Sequence, residues 1–309
     1  MGKEITGTVI PLPTPFNKNY EVDYGSLYNY VKFLIESGIK TVMTTVGTSR
    51  FNLLTEEEVK KVNETVVKAA GGRIVTIVAN PQVGGTSKAI EFAKHSESIG
   101  ADYFLTYFPE RFYGDANTYS FFKAINDSVS KTGILLHEMP MRNGFGAGNI
   151  PFSLELLRKL TALPNIKGLK EEALDAEHSN RIVAALKDKA IIIGAGGGMS
   201  RFYNRDYNLG ARAFLGGIGN FFPQLELDFY ELMMKGDLEK AGKIIHEIEL
   251  PYFEKTVPIG WHPSLKAALA VLGLMPEFER PPMKQVTGEE LEILRSVLNN
   301  NGWLQAAKH

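Results

Sequence analysis

Ile74-Val75-Thr76-Ile77-Val78, then the stretch Thr86 to Ile99, then Tyr103-Phe104-Leu105-Thr106 decide the fold. The first and last runs are short, continuous and rich in β-branched and aromatic residues, as strands buried on both faces are. The stretch between them reads as a helix. A strand, a crossover helix and a second strand in that order place the two strands parallel in one sheet, with a right-handed connection.

The same unit recurs in both directions along the chain. Upstream, Thr41-Val42-Met43 is a strand, and the helix before it is capped by Asp23, runs to about Ser37 with Leu27, Tyr30, Val31 and Leu34 at helical spacing, and stops at Gly38. Thr8-Val9-Ile10 opens the series and is closed by Pro11, Pro13 and Pro15, which cannot continue a ladder. Thr55 caps a further helix whose Glu56, Glu57 and Glu58 complement the helix dipole, a capping role and not a catalytic one. Downstream come a helix from Asn117 to about Val129, the strand Ile134-Leu135-Leu136-His137, and a helix from Ser153 to Leu160. The strand ending at Lys170, a helix around Ser179 to Leu186, the strands Ile191-Ile192-Ile193-Gly194 and Ala213-Phe214-Leu215, and a helix from Pro223 to Met234 follow. Eight such units close most naturally into a (β/α)8 TIM barrel over residues 1–236, an α/β fold, with a doubly wound open sheet as the alternative. Residues 237–309 read as a C-terminal helical extension, with helices at Leu238 to Ile248, Ser264 to Leu272, and Glu289 to about Leu298 behind Thr287. The extension is expected to cover the barrel's flank.

Composition narrows the function. A formal net charge of −1 over 309 residues gives no general attraction to nucleic acid or an anionic membrane, so the expected partner is a small molecule. The absence of cysteine excludes disulfides, thiolate metal sites and cysteine nucleophiles. No apolar run reaches the roughly 18 residues that cross a bilayer, and Met1 to Thr8 carries no signal-peptide core, so the expected location is cytoplasmic. No GxGxxG or Walker pattern is present, and His95, His178, His246, His262 and His309 have no metal-ligand spacing. No cofactor or metal is expected, and those histidines read as structural.

A barrel works at the C-terminal ends of its strands, so the residues after each apolar run carry the chemistry. In Asn165-Ile166-Lys167-Gly168-Leu169-Lys170-Glu171-Glu172 an apolar run ends on a lysine. At the end of a buried strand a desolvated amine attacks carbonyls and forms a Schiff base; the competing reading is a strand that ends in solvated charges. His137 ends the preceding strand and is expected within proton-transfer reach of Lys170, with Glu138 steadying it. Gly47-Thr48-Ser49 puts two hydroxyls and backbone N–H groups in one turn, which suits a carboxylate or phosphate or is a plain hydroxyl turn. Arg50, Arg111 and Arg142 on three loops suit an anionic substrate. The glycine-rich runs at Gly194 and Gly216 follow the last two strands, where barrels bind phosphate or let backbone approach a substrate.

These residues together resemble the dihydrodipicolinate synthase / N-acetylneuraminate lyase family over nearly the whole chain. The likeness is carried by Pro11-Leu12-Pro13-Thr14-Pro15-Phe16, Gly47-Thr48-Ser49 with Leu54-Thr55-Glu56-Glu57-Glu58, Pro140-Met141-Arg142-Asn143-Gly144, Gly168-Leu169-Lys170-Glu171, and Gly219-Asn220 with Pro223. The resemblance implies a barrel with a helical extension, a homo-oligomer (dimer or tetramer), and a Schiff base between Lys170 and a 2-oxo acid such as pyruvate, its carboxylate on Thr48 and Ser49. Where the family usually has a proton-relaying tyrosine this chain has His137, and Arg50-Phe51 stand where Gly-Glu is usual. These departures argue against the synthase and the sialate lyase themselves. The expectation is a lyase, aldolase or dehydratase, acting on a 2-oxo acid or a 2-keto-3-deoxy sugar acid. Lys170 and His137 would be catalytic, with Thr48, Ser49, Arg50, Glu138, Arg142 and Gly216 around the substrate. A non-catalytic 2-oxo-acid binder and a phosphate-binding barrel without imine chemistry are the alternatives.

Overall fold

The structure, a computed structural model, describes residues 3–81, 84–108, 114–138, 151–173 and 175–306. Among them eight strands pair in parallel: β1 (Gly7–Pro11), β2 (Thr41–Met43), β3 (Val75–Ala79), β4 (Tyr103–Thr106), β5 (Gly133–Glu138), β6 (Ile166–Glu171), β7 (Ile191–Gly194) and β8 (Ala213–Leu215). They follow chain order around the sheet, and β8 pairs back onto β1 to close a TIM barrel. The open-sheet alternative is thereby excluded. The crossovers carry α1 (Tyr24–Glu36), α2 (Glu56–Ala70), α3 (Thr86–Ser98), α4 (Asp115–Asn126), α5 (Leu154–Thr161) and α6 (Ala176–Leu186).

Strand alternation sorts the side chains into two cores. Val9, Met43, Ile77, Leu105, Leu135 and Ile193 pack together inside the barrel. Their neighbours Ile10, Val42, Phe104, Leu136, Leu169 and Phe214 point outward onto the helices. Local signals set the helices: Asp23 accepts from the Ser26 N–H at 2.9 Å, and Thr55 and Glu58 form a reciprocal capping box.

One irregularity matters for the site. Ile134 pairs with Ile166 but Leu135 pairs with Gly168, so Lys167 is an extra residue bulged out of β6. Gly168 permits the close approach to β7 that follows, since a Cβ there would run into the Ile191 carbonyl. After the bulge Lys170 lies opposite His137 and Glu171 opposite Glu138.

Beyond β7 the chain forms helix where the sequence reading placed only a glycine-rich loop: α7 (Gly198–Arg201), a π turn (Phe202–Asp206) and α8 (Tyr207–Leu209). Three glycines in a row, Gly196, Gly197 and Gly198, have positive φ and turn the chain sharply into it, which hides the helix from a pattern search. After α9 (Pro223–Lys235), α10 (Leu238–Ile244) runs through a π turn (Ile245–Glu249) into α11 (Leu250–Thr256). This helix is longer than the expected Leu238 to Ile248 because the π turn accommodates Pro251, which has no N–H to give to an ordinary helical ladder. The chain continues through α12 (Trp261–Val271), α13 (Gly288–Asn300) and α14 (Trp303–Ala306). Trp303 packs on Phe221 and Tyr252, with ring centroids 5.4 and 5.7 Å away, and fastens the terminal helices to the loop after β8. No described helix is long and apolar enough to cross a membrane.

Candidate active site

Alternation along β5 and β6 gives Lys170 and His137 one side of the sheet and Glu138 and Glu171 the other. Lys170 Nζ stands 2.8 Å from His137 Nε2, and both side chains are buried, at 3% and 1% exposure. Glu172, two residues beyond Lys170 and so on the same side, completes the group. Its Oε2 lies 2.9 Å from His137 Nε2 and forms an ion pair with the Lys170 ammonium. Burial alone would raise the Glu172 carboxyl, but the Lys170 charge and the His137 hydrogen bond outweigh it and hold the group well below the usual carboxylate range. A single imidazole nitrogen thus faces an amine and a carboxylate, accepting from one or donating to the other according to its tautomer.

Glu138 does not steady His137. Pointing outward, its Oε1 accepts from the Phe152 N–H at 2.6 Å and meets His178 Nε2 at 3.0 Å. Glu171, also outward, accepts from Ser179 Oγ and the Ala173 N–H, each at 2.9 Å, and pairs with Arg201. Both carboxylates bind the barrel to its helices.

The Gly47–Ser49 turn divides its two hydroxyl residues. Thr48 lines the cavity above Lys170. Ser49 is fully buried, faces away from that cavity, and donates its hydroxyl to the Leu12 carbonyl at 2.6 Å. Arg50 is likewise buried and is no cavity residue: its guanidinium pairs with Glu279, donates to the Thr48 carbonyl at 2.7 Å and reaches the His262 carbonyl at 3.0 Å. It supports the Thr48 turn from behind. The Ser49 hydroxyl, the Arg50 guanidinium and Glu138 Oε1 thus engage partners inside the protein and do not line the cavity. Arg142 and Arg111 lie outside the described residues.

The two glycine-rich segments line the cavity at Gly196–Gly198 and at Gly216 and Gly217. Internal carboxylates already hold their neighbouring amides. Glu249 accepts from the Met199 and Ser200 N–H groups, both at 2.8 Å, and Glu226 accepts from the Gly217 N–H at 2.7 Å and Thr8 Oγ1 at 2.5 Å. Burial raises both carboxyls, Glu249 to about 7. A Cβ at Gly216 would collide with Glu226 and Thr8, which explains that glycine.

The remaining wall comes from the C-terminal helices. Phe253, Val257, Trp261 and His262 face Lys170, His137 and Glu172 across a cavity of about 530 Å³. His262 read as structural from its spacing; here it lines the site, and burial, with the nearby Arg50 charge, pushes it down to about 4. Among the described residues no group of three or more His, Cys, Asp or Glu side chains is arranged to hold a metal ion.

The chain is similar to known proteins over nearly its full length. The sequence model of the Dihydrodipicolinate synthetase family matches residues 4–301. A 4-hydroxy-tetrahydrodipicolinate synthase of Methylobacterium radiotolerans is 28% identical, with 98% of each chain covered. A probable 5-dehydro-4-deoxyglucarate dehydratase of Bacillus licheniformis is 27% identical, covering 93% of this chain and 91% of the relative. The crystal structure of dihydrodipicolinate synthase from Aquifex aeolicus superposes with a TM-score of 0.85 at 25% identity, covering 97% of this chain and 99% of that one.

Proposed function

This chain belongs to the dihydrodipicolinate synthetase family, and from that premise we propose that it is a lyase that binds a 2-oxo acid as a Schiff base on Lys170. The observation that carries the reading is the buried amine at the end of β6, with His137 Nε2 2.8 Å away and Glu172 paired to it, on the floor of a cavity. Once its proton has passed to the His137–Glu172 pair, the amine adds to the C2 ketone. Proton transfer to the C2 oxygen then expels water and leaves an iminium, which withdraws electrons from C3. In this reading Thr48, which lines the cavity and is backed by Arg50 through its carbonyl, receives the carboxylate. The relatives' names include a synthase and a dehydratase, so both carbon–carbon and carbon–oxygen bond chemistry fall within the family.

The phosphate-binding alternative fares worse on this geometry. Amides that would cradle a phosphate after β7 and β8 already serve Glu249 and Glu226, and a second anion there would meet a carboxylate.

The test is borohydride reduction in the presence of pyruvate, read by mass spectrometry on the intact protein and on Lys170→Ala. An adduct on the parent protein alone supports the reading, and its absence from both removes it. An adduct without turnover of any 2-oxo acid would leave the non-catalytic binder.

A further inference from the structure

Phe253 in α11 and Val257, the residue that caps its C-terminus, sit one helical turn apart, and Trp261 opens α12 beside them. Their placement is fixed. The Trp261 ring lies so close over Gly217 that a Cβ there would approach it to 2.6 Å, and it meets Phe253 at a centroid distance of 5.3 Å. Leu215 extends the same apolar surface toward the barrel rim. Val257 is 56% exposed, an apolar side chain at the cavity's mouth with no covering partner among the described residues.

The cavity therefore has two unlike ends. Its floor holds Thr48, His137, Lys170 and Glu172, while the wall from the terminal helices holds a tryptophan, a phenylalanine and a valine. His262, the polar residue beside them, is held neutral by burial and by Arg50. A polyhydroxylated chain laid along that wall would lose its water without gaining matching hydrogen bonds there, at a cost for each hydroxyl. A flat or branched hydrocarbon group would gain contact area.

We propose that the substrate is a 4-hydroxy-2-oxo acid bearing an aryl or branched-alkyl group on C4, and that Phe253, Val257 and Trp261 select that group. This rests on the Schiff-base reading above. With C2 bound to Lys170 as the iminium, the C4 hydroxyl gives its proton to the His137–Glu172 pair and the C3–C4 electrons move into the iminium. That bond breaks, an aldehyde carrying the apolar group leaves, and an enamine remains on Lys170. The proton returns to C3, and water adds at C2 to release pyruvate and the free amine.

The experiment has two steps on the full-length protein. Borohydride trapping with pyruvate comes first; if no adduct forms, the Schiff-base reading fails and the selectivity proposal falls with it. With the adduct in hand, pyruvate release is followed from 4-hydroxy-2-oxo acids carrying phenyl, isopropyl or dihydroxyethyl groups on C4. The phenyl and isopropyl acids are expected to exceed the dihydroxyethyl acid in kcat/KM by about tenfold or more. Val257→Asp, at an exposed position, is expected to remove most of that preference, with kcat/KM for the phenyl and isopropyl acids falling toward that for the dihydroxyethyl acid. A trapped adduct combined with equal or better cleavage of the dihydroxyethyl acid, no pyruvate from any of the three, or an unchanged preference in Val257→Asp would overturn the proposal.

Discussion

His137 and Lys170 occupy paired positions on neighbouring strands, and their nitrogens stand 2.8 Å apart. The distance is set by backbone register and not by a flexible loop, so the amine and the imidazole are held together by the barrel itself. The bulge at Lys167 supplies that register.

Glu172 is the third member of this group, and Glu172→Gln keeps its shape while removing its charge. The borohydride adduct with pyruvate is expected to persist, because the nucleophile is untouched. Turnover should fall by about 100-fold or more, mostly in kcat. Parallel trapping and steady-state assays separate the two, and an unaltered kcat would take Glu172 out of the proton path.

Arg50 and Glu279 form a buried pair, and Lys266 shares the carboxylate at 3.5 Å. Glu279→Ala leaves two cations buried without it, so the expected loss is about 3–5 kcal/mol in a denaturant melt. The milder Glu279→Gln should remain folded and raise KM for the 2-oxo acid more than it lowers kcat, since Arg50 steadies the Thr48 carbonyl. Equal melts for parent and Glu279→Ala would remove the pair from the stability of the fold.

His262 makes stability depend on pH. Its folded value near 4 lies below the ordinary histidine value, so the unfolded chain binds the extra proton first as pH falls. The stability it contributes is complete above about pH 6.5 and is lost toward pH 4, on the order of 3 kcal/mol. In His262→Asn that slope should vanish from urea melts taken across this range.

Glu249 works in the opposite sense. Its folded value of about 7 exceeds the usual carboxylate value, so its contribution is complete below about pH 4.3 and is lost as pH rises through 7. Glu249→Gln should gain stability relative to the parent above pH 8 and little below pH 5. Because the two titrations oppose each other between about pH 4.3 and 6.5, the parent should show a flatter profile there than either variant.

The barrel was legible because each strand is a short apolar run and each helix carries its own start or stop, as Asp23, Thr55 and Pro223 do. Lys170 and His137 were legible for the same reason, as the last residues of consecutive strands. The same alternation turns Glu138 away from His137 and brings Glu172, two residues on, to the side of Lys170, so that signal too is present in the sequence. Arg50 and Ser49 were not legible. Their partners are Glu279 and the Leu12 carbonyl, and such contacts exist only once the ring of strands has closed. The aromatic wall is not legible in the sequence, because Phe253 and Trp261 have the spacing of ordinary packing residues on their helices, and only the folded cavity gives them a shared face.

The Arg50–Glu279 pair joins positions 229 residues apart in the chain. Synthesis runs from the N-terminus, so the turn bearing Thr48 leaves the ribosome long before the carboxylate that anchors it. Lys170 lies between the two in the sequence, so it too precedes that partner. Until the segment carrying Glu279 docks, the guanidinium that donates to the Thr48 carbonyl lacks its carboxylate partner, so one rim of the cavity depends on a contact between an early and a late segment of the chain.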